Sequence, residues 1–206
     1  MANVKFSRHE IEKHIKLSSD VIEKINLMGI PIESINEKEI ELEILPNRPD
    51  LLSIQGFVRA LKSFIGKEKP SKYTIHKPEK NYKIKVEKEV RDIRPYTVCA
   101  IAKNLSLNNE RIKELIDLQE KLHSTIGRKR KKAAIGIYPL EKIKLPITYT
   151  ALPPEKIKFI PLELNEEMTA KQILEKHQTG KEYSNLLDNF EKYPIFIDAK
   201  NKILSM

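Results

Sequence analysis

The chain has one cysteine, Cys99, no tryptophan and only 6 glycines among its 206 residues. A single cysteine excludes a disulfide within the chain and a cysteine-based metal cluster, and it fits a reducing cytoplasm. With so little glycine there is neither a collagen-like nor a Gly-rich flexible stretch. Residues 1–6 lack the apolar core of a signal peptide, and no apolar run approaches the roughly 18 residues of a membrane helix, so a soluble protein is expected. Common chemical signatures are missing as well: phosphate loop, dinucleotide glycine fingerprint, His-Glu-x-x-His helix and nucleophile elbow. His9, His14, His76, His123 and His177 are scattered in sequence, and no metal site is expected.

What is present is charge. Lys+Arg number 38 against 29 Asp+Glu, a formal net charge of +9, which suits a polyanionic partner such as RNA and equally a solvated lysine-rich surface. Its densest expression is Arg128-Lys129-Arg130-Lys131-Lys132, five consecutive cations. Such a run attracts phosphates, and directly after a helix it also suits the negative end of the helix dipole.

Hydrophobic spacing predicts the elements. Ser7-Arg8-His9-Glu10 has capping-box spacing and should start a short helix through Ile11 and Ile15. Ser18-Ser19-Asp20 opens a second, with Val21, Ile22, Ile25 and Met28 as its stripe and Gly29 as its stop. Ile40, Leu42 and Ile44 alternate with glutamates as a half-buried strand. After a rigid turn at Pro46-Asn47-Arg48-Pro49-Asp50, the residues Ile54, Phe57, Val58, Leu61, Phe64 and Ile65 recur at helical spacing up to Gly66. Residues 1–66 thus read as a small helix-helix-strand-helix domain, and the polar, lysine-rich stretch 67–80 as a linker.

Residues 81–206 read as a second region. Strands are expected at 82–86, 96–102, 133–138 and 157–162, with a Pro-rich connection between the last two. Residues 110–126 form the longest predicted helix, with Ile112, Leu115, Ile116, Leu122 and Ile126 inward and Gly127 as its end. Gln119 and His123, four apart on that helix beside its apolar stripe, should face one neighbouring surface and are candidates for lining a pocket, although buried glutamines and histidines are more often satisfied by nearby backbone. Thr169 can cap a helix through Ile173 and Leu174, 181–190 can add another, and Asp198-Ala199-Lys200-Asn201 should turn a hairpin.

Several stretches then carry a family resemblance. Asn47-Arg48-Pro49-Asp50-Leu51, followed by Gly56, Arg59 and Leu61, resembles the signature of phenylalanyl-tRNA synthetase beta subunits of the archaeal and eukaryotic cytosolic type. Leu118-Gln119-Glu120-Lys121-Leu122-His123, Gly127-Arg128-Lys129-Arg130 and Ala134-Ile135-Gly136-Ile137-Tyr138 resemble the opening of that subunit's editing domain. Phe159-Ile160-Pro161-Leu162, Met168-Thr169-Ala170, Gly180-Lys181-Glu182-Tyr183 and Tyr193-Pro194-Ile195-Phe196-Ile197-Asp198 continue the series in order.

The resemblance implies an α+β fold: a small amino-terminal α/β domain, then a larger mixed α/β editing-type domain that reads as truncated at its carboxyl end. It implies a part in tRNA aminoacylation, with an editing region associated with hydrolysis of mischarged Tyr-tRNA(Phe). Such editing is needed because a pocket shaped for one side chain rejects an added hydroxyl by only about a hundredfold in the analogous valine and threonine case. Leu204 matches a pocket-lining position, beside Gln119 and His123 as further pocket candidates, and no catalytic residue is assigned. Arg128, Lys129, Arg130, Lys131 and Lys132 are the tRNA-contact candidates; Arg48 and Asp50 are expected to hold a structural turn. Implied partners are tRNA(Phe), the alpha subunit in an alpha2beta2 heterotetramer and the rest of the beta subunit, with no membrane. ATP and Mg serve the parent enzyme, and no cofactor is expected in this stretch. The alternative is a non-catalytic tRNA-binding or assembly module of a split or truncated subunit.

Overall fold

The computed structural model describes residues 2–70, 72–79 and 81–206. Met1, and Ser71 and Lys80 of the expected linker, lie outside the described residues. The fold is α+β, in two compact units that are each discontinuous in sequence: Met1–Ile75 with Leu105–Gly136, and His76–Asn104 with Ile137–Met206. The 105–136 stretch, expected with the second region, therefore groups with the amino-terminal unit.

In the first unit, strand β1 (Ala2–Ser7) leads into helices α1 (Arg8–Glu12) and α2 (Ser19–Leu27), then strands β2 (Ile32–Ile35) and β3 (Glu39–Ile44) and helix α3 (Ile54–Phe64). The strands form an antiparallel sheet in the order β1-β3-β2, with Val4 opposite Leu42 and Phe6 opposite Ile40. Ile40, Leu42 and Ile44 are buried while the intervening glutamates are not, as their alternation requires. Phe57 and Leu61 of α3, with Ile11, Val21 and Ile25, close the core over the sheet.

Serines start the helices. Ser18 and Ser53 each accept the amide of the residue three further on, and Gly29 sits at φ 74, where only a residue lacking Cβ is unstrained. Ser7 does likewise, but the expected capping box closes only on that side: Glu10 bonds Lys13 instead, at 2.6 Å.

Helix α4 (Asn109–Ser124), started by Asn108, belongs to this unit. Leu118 and Leu122 pack against its core, and Gln55 Nε2 donates to Glu114 Oε2 at 2.7 Å. The helix is rotated from the expected face, Ile112 and Ile116 being 41% and 54% exposed, and it ends before Ile126, which is 48% exposed. Two stripes share Leu122, and the one running through Leu118 meets the core.

The second unit is built on a four-stranded sheet. Strand β4 (Ile84–Val86) runs parallel to β5 (Ile147–Leu152), which is antiparallel to β8 (Tyr193–Ile197), itself antiparallel to β9 (Ile203–Ser205). Between β5 and β8 the chain makes a two-residue strand pair, β6 (Lys158–Phe159) with β7 (Met168–Thr169), and helices α5 (Ala170–Lys176) and α6 (Gln178–Tyr183). Thr169 and Gln172 form a full capping box on α5. A Cβ on Gly180 would stand 2.0 Å from the Ile173 carbonyl oxygen, so the contact between α5 and α6 needs glycine.

Strand expectations fare unevenly here. Residues 96–102 and 133–138 form no strand, and Tyr96 and Val98 are 90% and 96% exposed. Cys99 is exposed too. The expected strand at 157–162 shrinks to β6, whereas β5 lies in the stretch read as a Pro-rich connection. Propensity alone does not make a strand; pairing does, and β5 is paired on both sides.

Candidate nucleic-acid interface

The stretch after α4 is tightly built. The amide of Gly127 donates to Leu122 O at 2.8 Å, that of Arg130 to His123 O at 3.3 Å, and those of Lys132 and Ala133 to Gly127 O at 2.9 and 3.4 Å. Gly127 itself is buried, and a Cβ there would fall 2.7 Å from Ala133 O and 2.8 Å from His123 O. The loop thus closes on the last turn of the helix through a position that only glycine fits.

Arg128, Lys129 and Arg130 occupy positive φ in succession, at 50°, 52° and 64°. Left-handed angles cost a non-glycine residue ~1–2 kcal/mol each, so three in a row stand only where the surroundings enforce them. His123 supplies part of that enforcement. It is 2% exposed, its Nε2 accepts the Ile135 amide at 2.8 Å, and its Nδ1 lies 3.3 Å from Glu120 Oε1. Because Nε2 accepts, the proton of the neutral ring belongs on Nδ1, which donates to Glu120. The same carboxylate oxygen receives Arg130 Nη2 at 2.8 Å.

Arg130 therefore turns in toward Glu120, while Arg128, Lys129, Lys131 and Lys132 are exposed. Among the described residues none of these four pairs with a carboxylate. They crowd the carbonyl end of α4, whose dipole partly offsets their mutual repulsion.

The other expected site residues fall elsewhere. Gln119 is half-buried in α4, and Leu204 is half-buried in β9 of the second unit. Arg48 and Asp50 form a two-pronged ion pair, Nε to Oδ1 at 3.0 Å and Nη2 to Oδ2 at 2.9 Å. The guanidinium holds the Asp50 carboxyl below its usual range. Gly56 completes the signature: a Cβ there would stand 1.8 Å from the Asp50 carbonyl oxygen, so the turn and α3 touch backbone to backbone.

A surface concavity lies at the turn 36–39, lined by none of these residues. Among the described residues no group of three or more His, Cys, Asp or Glu side chains is placed to hold a metal ion. No helix among them is long and apolar enough to cross a membrane. The sequence reading took Gly127 as the helix end and gave Glu120 no role; the glutamate's spacing of three to His123 on one helix face was the available signal.

Fold and loop together define a two-unit α+β module whose most elaborated surface is a cationic loop. Its relatives are specific. The chain is 39% identical over 188 residues to the phenylalanine–tRNA ligase beta subunit of Methanosphaera stadtmanae, covering 91% of this chain and 33% of that protein. It is 38% identical over 198 residues to that of Archaeoglobus fulgidus, covering 95% and 36%. A crystal structure of an N-terminal fragment of the phenylalanyl-tRNA synthetase beta subunit from Pyrococcus horikoshii superposes with a TM-score of 0.88 at 36% identity, over 100% of this chain and 61% of that one. No protein-family model matches. The chain belongs to the phenylalanyl-tRNA synthetase beta-subunit family, and it spans about a third of the length of the curated relatives it matches.

Proposed function

We propose that the chain serves tRNA aminoacylation as the amino-terminal part of a phenylalanyl-tRNA synthetase beta subunit, and that residues 81–206 contribute to an editing region that hydrolyses mischarged Tyr-tRNA(Phe). The observation that carries this reading is the match, over 100% of this chain and 61% of the other, to an N-terminal beta-subunit fragment at a TM-score of 0.88. In this reading the exposed cations of the 128–132 loop contact the tRNA backbone, and Leu204 lines a pocket for the tyrosyl group. Such a site reverses the synthetic preference by hydrogen-bonding the tyrosine hydroxyl, leaving a phenylalanyl ester poorly held. Positioning the ester against water then supplies the rate.

The partners in this reading are tRNA(Phe), the alpha subunit in an alpha2beta2 assembly and the remaining beta-subunit polypeptide, in the cytoplasm. ATP and Mg belong to the synthetic step.

The test joins the chain to the polypeptide that follows the matched stretch in the relatives and measures deacylation of Tyr-tRNA(Phe). Hydrolysis above the uncatalysed rate, with Phe-tRNA(Phe) spared, is expected; a rate equal to buffer overturns the editing assignment. One observation favours a second reading, a non-catalytic tRNA-binding module: the cationic loop is complete within one unit. tRNA binding without hydrolysis in that joined protein would select it.

A further inference from the structure

We propose that Glu120 and His123 are positioning residues that lock the loop after α4 into a preorganised cationic hook for the phosphodiester backbone of RNA. The inference rests on the RNA-contact reading above and deepens it, since neither residue need touch the ligand.

Three observations converge. First, the loop holds Arg128, Lys129 and Arg130 at consecutive left-handed angles, a conformation that a solvated basic run would not keep by itself. Second, the groups that hold it are specific: Ile135 N–H to His123 Nε2, His123 Nδ1 to Glu120, and Glu120 to Arg130. One buried ring and one carboxylate thus tie α4 to both the middle of the loop and the segment leaving it. Third, the tie separates the cations by role. Arg130 is drawn in to the carboxylate, while its neighbours Arg128, Lys129, Lys131 and Lys132 project from a backbone already ordered.

Glu120 is an acidic group set within a basic loop, which general attraction for RNA does not explain. As a bystander it would weaken the binding of a polyanion; as part of a lock it strengthens binding by sparing the cost of ordering long side chains at the moment of contact. The ligand class follows from the geometry. Four flexible cations on a closed turn match successive phosphates, and the loop presents no aromatic platform for stacking bases. Recognition is of the backbone, with little dependence on sequence.

The experiment uses the intact 206-residue chain and an unmodified tRNA(Phe) transcript, with affinity measured across a salt series. Glu120→Ala adds one unit of net positive charge, yet it should weaken binding about three- to tenfold, as expected for re-ordering one or two long side chains. It should also flatten the dependence of log K on log salt. His123→Ala should do the same, and His123→Gln, whose amide oxygen can stand where Nε2 accepts the Ile135 amide, should restore most of the loss. Glu120 is half exposed, so its variant reports even where His123→Ala fails to fold. Unchanged or tighter binding by Glu120→Ala overturns the lock. The double variant Arg128→Ala with Lys129→Ala separates the two levels: if it weakens binding and Glu120→Ala does not, the lock alone fails. If the double variant also binds as well as the parent chain, the RNA-contact reading fails with it.

Discussion

Asp198, only 5% exposed, stands at the turn between β8 and β9 and anchors it. Burial pushes its carboxyl up, but three backbone amides outweigh that: Lys202 and Lys200 donate to Oδ1 at 2.9 and 2.8 Å, and Lys144 to Oδ2 at 3.2 Å. The net effect lowers its pKa. A carboxyl depressed in the folded state binds its proton more readily when unfolded, so it contributes stability above the unfolded value of about 3.9, lost as pH falls through the lower folded value. Urea unfolding of the chain should therefore weaken steeply below about pH 4. In Asp198→Asn this part of the acid limb should be absent, and stability at pH 7 should fall by roughly 1.5–3 kcal/mol, the range for hydrogen bonds to a charged group. An acid limb identical in the two proteins would contradict the assignment. Gly56 and Gly127 speak at the same scale: each sits where another backbone approaches too closely for a Cβ, the first giving the Asn47–Leu61 signature its meaning.

Among the elements, α4 carries the most consequence, because it positions the cationic loop. The core is met through Leu118 and Leu122, not through Ile112 and Ile116. Leu118→Ala should consequently destabilise the chain by about 1–3 kcal/mol, less than a fully buried leucine because it is only half covered. Ile112→Ser should change stability by no more than about 0.5 kcal/mol. Chemical denaturation of the pair checks this; equal losses would mean the helix faces the core as its isoleucines suggested.

The elements also show what a sequence can convey. β3, α2, α3, the Thr169 cap and the Asp198 turn were legible because each has a local signature: alternation, periodicity, a cap or a turn residue. β1 and β2 were not, since Val4 and Phe6 alone mark the inner face of the first, and the second has no fully buried residue. Residues 96–102 and 133–138 failed in the opposite direction, having strand-forming residues without a strand to pair with. At the site, the five cations were plain in the sequence. The lock was not, because its parts, Glu120, His123 and the Ile135 amide, meet only after the loop folds back through left-handed angles that no residue type there announces.

At the scale of the whole molecule, the charge excess of +9 includes the five consecutive cations after α4, and in the proposed function the polyanion they meet is the tRNA backbone. Binding through phosphates has a distinct thermodynamic mark, the release of condensed counterions, which makes log K fall linearly with log salt by about 0.7–0.9 per phosphate neutralised. The most direct measurement is the affinity of the chain for a tRNA(Phe) transcript between about 50 and 200 mM salt, beside a variant with Arg128, Lys129, Lys131 and Lys132 all changed to Ala. The parent chain should bind with a steep salt slope, and the variant should bind more weakly with a slope smaller by about 3. A parent chain that does not bind, or a variant whose slope equals the parent's, would contradict the assignment of this loop to RNA.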